Sequence, residues 1–190
     1  MFADVPWNHW AHDYIVALYN AGYVAGCSTE PRLYCPDAIL TRAEAAVFVE
    51  RGIHDIDYFP DLPATQLFDD LPLDSWAAKW ATALFHDGYT AGCGTDPLIY
   101  CPWHPNTRAE ASVFFLKMLN GPDYFPPDPV GLFDDVDPDW WGAKWSEAAY
   151  NAGLLPACGD DPLRFCPDDA LDRAWAAYMM VQAKGGLPLP

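Results

Sequence analysis

"LTRAEAAVFVE", residues 40–50, carries the signature on which the fold turns. Ala45, Val47, Phe48 and Val49 supply the apolar content of a helix whose N-cap is Thr41. Thr41 followed by Glu44 forms a capping box, in which side chain and backbone of the two residues satisfy each other at the helix start. Arg42 does not belong to that logic. A cation in the first helical turn opposes the helix dipole by about 0.3–1 kcal/mol.

The same stretch recurs as "NTRAEASVFFL" from Asn106 and as "LDRAWAAYMMV" from Leu171. Thr107 and Glu110 restore the capping box, whereas in the third copy Asp172 can cap but Trp175 replaces the glutamate. Arg42, Arg108 and Arg173 are three of only 10 Lys and Arg residues in the chain, so their shared position calls for an explanation. Two remain open on the residues alone. Each arginine pairs with a carboxylate of a neighbouring copy, such as an F-x-D aspartate, or each joins free helix N–H groups to hold an anion.

Outward from this stretch, the whole chain repeats. Phe2, Phe68 and Phe133 open F-x-D patterns, followed at fixed offsets by Trp10, Trp76 and Trp141 and then by Gly22, Gly88 and Gly153. Corresponding residues are 66 apart between copies one and two and 65 apart between two and three, so we place repeat units at 1–60, 61–126 and 127–190. In each unit a first helix, about Trp10 to Ala21 in copy one, precedes the Arg-bearing helix. A loop such as "GCSTEPRLYCPD" separates them. Proline-rich links, "DYFPDLP" and "DYFPPDP", are expected to run extended with their aromatics packed on the units. The expected class is all-α with long loops and a core shared by three units.

Six cysteines form three C-x7-C pairs. Zinc sites use closer pairs or histidines at ligand spacing, but His9, His12, His54, His86 and His104 share no repeat position. A reactive thiol would not be duplicated six times, and no C-x-x-C occurs. A local disulfide per unit fits best: Cys27 with Cys35, Cys93 with Cys101 and Cys158 with Cys166. Each is worth about 2.5 kcal/mol in the chain-entropy model and points to an oxidising, extracellular setting.

With 190 residues, 52% hydrophobic and 15% aromatic, the chain can build a real core. Its net charge of −17 makes nucleic acid and anionic membranes poor partners. No apolar run is long enough to span a bilayer, and "MFADVPWNHW" has neither the basic start nor the apolar stretch of a secretory leader. Aspartate pairs such as Asp69 and Asp70 lack EF-hand spacing, and no nucleophile elbow or phosphate loop is present. No metal, cofactor or catalysis is expected. Trp10, Trp76 and Trp141 read as core. Trp7 and Trp103 lie outside the repeated set and can offer a flat face to a sugar.

The ordered set F-x-D, Trp-Ala, Gly-Tyr, Cys-Pro and T-R-A-E resembles the S-layer homology (SLH) repeat, and three such repeats are that module's usual complement. The resemblance implies a pseudo-threefold arrangement of SLH-like units around a central helical bundle. It also implies binding of secondary wall polysaccharide, often pyruvylated, in grooves between repeats. Carried over, the binding arginines are Arg42, Arg108 and Arg173; Trp7 and Trp103 stand as candidate sugar contacts on their own chemistry and not through the resemblance. Two functions follow. The first is an extracellular, non-catalytic surface protein that associates with copies of itself into a layer, tube or filament. The alternative is a module that anchors to the bacterial cell-wall polysaccharide.

Overall fold

A computed structural model of the chain describes residues 1–189. It is mostly helical, with six helices: α1 (His12–Asn20), α2 (Arg42–His54), α3 (Ala78–His86), α4 (Arg108–Asn120), α5 (Ala143–Asn151) and α6 (Arg173–Ala183). The all-α expectation needs one correction. The loop between the two helices of each unit contains a two-stranded antiparallel hairpin: β1 (Ser28–Thr29) with β2 (Arg32–Leu33), β3 (Gly94–Thr95) with β4 (Leu98–Ile99), and β5 (Gly159–Asp160) with β6 (Leu163–Arg164). Strands of two residues leave no hydrophobic alternation to read in a sequence.

The short helices begin two residues after each repeated tryptophan, and none has a side-chain N-cap. They end sharply. After α1, Gly22 adopts φ +85° and the Tyr23 N–H donates to the Leu18 carbonyl, a Schellman closure that only glycine enters without strain.

The cysteines of each loop are joined, Cys27–Cys35, Cys93–Cys101 and Cys158–Cys166, so each bridge closes one hairpin. The second cysteine of each pair has positive φ, between 52° and 59°, a conformation unfavourable for a side-chain-bearing residue. The F-x-D aspartates hold it there. Asp4 accepts hydrogen bonds from the Tyr34 and Cys35 N–H groups, Asp70 from Tyr100 and Cys101, and Asp135 from Phe165 and Cys166, all at 2.7–2.9 Å. The F-x-D phenylalanines are buried beneath, each against an aromatic of the first helix and one of the loop, as Phe2 is against Tyr19 and Tyr34.

The long helices α2, α4 and α6 contact one another in the order α2–α4–α6, while α3 packs on α2, α5 on α4 and α1 on α6. Their N-terminal approaches are tied into a closed ring. The Leu40 N–H donates to the Leu171 carbonyl, Leu171 to Asn106, and Asn106 back to Leu40, at 2.8–2.9 Å. The links pack only in part. Tyr58 and Tyr124 lie against the core, whereas Phe59 and Phe125 are both 67% exposed, each under a lysine ammonium, Lys79 and Lys144 respectively.

Candidate functional site

The capping boxes at Thr41/Glu44 and Thr107/Glu110 are complete, and Asp172 alone caps α6 by accepting from the Trp175 N–H. The next two amides of each long helix are also committed. Arg42 and Ala43 donate to the carbonyls of His104 and Pro102, Arg108 and Ala109 to Asp169 and Pro167, and Arg173 and Ala174 to Ala38 and Pro36. The helix starts therefore have no free N–H groups with which to hold an anion, and that part of the ligand expectation falls. A carbonyl from the adjacent loop occupies each place instead.

The guanidinium groups share one anchor and then diverge. Each Nε donates to a loop carbonyl one copy away: Arg42 to Tyr100, Arg108 to Phe165 and Arg173 to Tyr34. Each guanidinium also lies over that residue's ring, at 5.1, 4.9 and 4.8 Å from the centroid. This anchor is the reason an arginine sits where the dipole disfavours it. Beyond the anchor, Arg42 forms a 2.7 Å ion pair with Glu110, a partner in the neighbouring copy. The expected F-x-D partners are ruled out because those aspartates are engaged with backbone amides. Arg108 places its second donor on the Pro156 carbonyl, and burial pushes its pKa down against the pull of Asp169, Asp135 and Asp172. Arg173, by contrast, has no partner for its two terminal nitrogens among the described residues.

Those differences shape the space around the arginines. A groove of about 300 Å³ is lined by Arg173, Arg51, Glu44, Tyr23, Phe48 and Trp76, among others. A second, of about 610 Å³, is lined at the corresponding positions by Arg42, Lys117, Glu110, Tyr89, Phe114 and Trp141. The positions that would make a third are filled. Trp175 stands where Glu44 and Glu110 stand and packs against Trp10 at a tilt, ring centroids 4.2 Å apart, while the Tyr178 hydroxyl donates to the Gly153 carbonyl. Each open groove carries two cations and one glutamate, so four of the chain's 10 Lys and Arg residues line these two spaces. In a chain of net charge −17 they are local positive patches.

The tryptophan assignments change. Trp10, Trp76 and Trp141 are 49–52% exposed, not core, because they sit in the turn before each short helix and not on its buried face. Trp76 and Trp141 line the grooves. Trp7, 84% exposed, lines neither, and Trp103 touches the first groove only through its contact with Trp76, 5.9 Å between centroids. Arg51, Lys117, Tyr23 and Tyr89 were missed. Their register with one another in the two copies is the signal that could have found them.

Tyr34 and Tyr100 close the ring from the other side, donating their hydroxyls to the Arg173 and Arg42 carbonyls, and Phe165 omits this bond. Burial raises both phenols, Tyr34 to about 12 despite nearby Arg173, and Tyr100 further still despite Arg42. A phenol that ionises near 10 when unfolded but higher when folded contributes stability that is full below pH 10 and fades as pH rises above it. Urea unfolding is therefore expected to show stability dropping from about pH 10 to pH 12, with a smaller drop in Tyr100→Phe. At neutral pH that variant, which copies Phe165, is expected to lose about 1 kcal/mol. An unchanged alkaline slope would contradict the buried-phenol account.

No family model matches the chain. It is 33% identical over 124 residues to an S-layer protein of Bacillus licheniformis and, over the same length, to S-layer protein EA1 of Bacillus anthracis. Each match spans 65% of this chain but only 13% and 14% of those proteins. An uncharacterized cell wall amidase of Bacillus anthracis is 37% identical over 114 residues, 58% of this chain and 19% of that protein. The chain is thus related to S-layer proteins through a segment that is a small part of each.

Proposed function

We propose that the chain is a non-catalytic, extracellular wall-binding unit of three SLH-like repeats, 1–60, 61–126 and 127–190, arranged with pseudo-threefold symmetry. In this reading it holds an anionic wall polysaccharide in its two open grooves. The closed ring of hydrogen bonds at Leu40, Asn106 and Leu171 supports the symmetry. The observation that carries the function is the pairing of a cation-lined groove with an exposed tryptophan, made twice in a strongly acidic chain. Arg173 in the first groove has unspent donors for a carboxylate, and Trp76 beside it offers a face to sugar C–H groups. The second groove is the weaker, because Glu110 already neutralises Arg42.

The relatives favour a shared unit. Matches of 124 and 114 residues on a 190-residue chain must overlap, so one stretch resembles proteins named as S-layer proteins and one named as an amidase. Attachment is a role that such differently named proteins can hold in common. A disulfide in each unit suits the oxidising exterior.

Co-sedimentation with purified wall polysaccharide tests the proposal. Arg173→Ala is expected to weaken binding at least tenfold, about the 1.4 kcal/mol or more that a charge-assisted hydrogen bond contributes. Unchanged binding by Arg173→Ala and Trp76→Ala together would sink it.

Self-association is the second reading, favoured by apolar residues standing clear on the links and turns: Trp7, Leu62, Phe59, Phe125 and Val130, all 67% exposed or more. Sedimentation velocity separates the two. A concentration-dependent series of oligomers without polysaccharide supports assembly, and a monomer at all salt concentrations excludes it.

A further inference from the structure

One position breaks the repeat in a way that neither packing nor the grooves explain. Glu50 on α2 has a side chain with 0% exposure, and neither carboxylate oxygen has a hydrogen-bond partner among the described residues. Copies two and three carry Leu116 and Val181 at this position. His54, one helical turn on, places Nε2 3.6 Å from Glu50 Oε2 and 2.5 Å from Oδ2 of Asp87, the residue that ends α3. The other copies carry Asn120 and Gly185 in place of His54, and Ala21 and Ala152 in place of Asp87. Three apolar or neutral positions have thus become two carboxylates and an imidazole at a single joint, with the donor atoms all within 4.8 Å of one another.

We propose that Glu50, His54 and Asp87 form a site for a divalent first-row transition ion of the zinc type, clamping α2 to α3. Imidazole with carboxylates is the donor set such ions take, whereas calcium and magnesium take oxygen alone. Bonds of about 2.1 Å in a tetrahedron set ligand atoms about 3.4 Å apart. The Glu50–His54 separation already meets that. The His54–Asp87 contact opens by about an ångström on binding, within the freedom of two side chains that are about one-third exposed. That exposure gives the ion its entry and leaves its fourth position to water. Tyr58, stacked on the imidazole at 4.1 Å, fixes the ring plane.

The test is thermal unfolding and calorimetric titration of the EDTA-treated chain with zinc chloride. One zinc per chain is expected, with Tm rising by about 5–10 °C at a hundredfold excess over Kd. Calcium at the same concentration is expected to leave Tm unchanged. His54→Asn and Asp87→Ala copy residues the chain already accepts at equivalent positions, so both are expected to fold and to lose the response. No rise with zinc in the unaltered chain overturns the proposal. So does a rise undiminished in both variants, which would place the ion elsewhere, for example at His9 or His12.

Discussion

Reduction of the three disulfides is expected to leave the chain largely unfolded at 37 °C. Each bridge closes a loop with a sequence separation of 8 and removes about 2.5 kcal/mol of chain entropy from the unfolded state. Three together approach the whole 5–15 kcal/mol that holds an ordinary domain. The loss spreads beyond the loops. Each bridge steadies a hairpin whose flanking carbonyls, at Pro36, Pro102 and Pro167, each receive the second amide of a long helix in another copy. Releasing one hairpin therefore uncaps a distant helix. Circular dichroism with and without reductant measures this. A reduced chain that keeps its helicity and melts within about 3 °C of the oxidised one would contradict the account, since the loss expected is several times that.

The second large effect is Arg42→Ala, expected to cost about 3–5 kcal/mol. Its side chain is only 4% exposed, and its loss strands the Glu110 carboxylate and the Tyr100 carbonyl together. Glu110 also serves the Thr107 cap, so the start of α4 is weakened as well. Arg173→Ala removes one carbonyl bond and strands no charge, and is expected to cost about 1 kcal/mol. Under the proposed function, stability and binding are therefore expected to run in opposite order across two residues that look identical in sequence. Urea denaturation of both variants decides it, and an Arg42→Ala protein within 1 kcal/mol of the parent would remove the ion pair from the account. Lysine at position 42 is no safe substitute, because it cannot meet Tyr100 and Glu110 from one planar fork.

Much of the local structure is legible in the sequence. Capping boxes act over three residues, a helix-ending glycine over one, and a C-x7-C pair over a single loop. Each of these is a short-range preference that the chain carries with it wherever it folds. The F-x-D aspartates were legible as a repeated feature, but they were expected as partners of the arginines, whereas each holds two loop amides.

What neighbours do to a residue was not legible. Sequence alone determined that Arg42, Arg108 and Arg173 begin equivalent helices; that each Nε is anchored on a loop carbonyl of another copy came from the structure. Only the tertiary structure decided that Glu110 neutralises the first, that a proline carbonyl absorbs the second, and that the third remains unspent. The partners come from another copy, some 48 to 139 residues away, and a hydrogen bond over that distance leaves no periodic trace in the chain. Trp10, Trp76 and Trp141 show the same limit. Their helical spacing suggested burial, but the helix starts two residues later, and their rings stand at the groove edge. Pattern governs which backbone forms. The closing of the three copies on one another determines which of its side chains remain available.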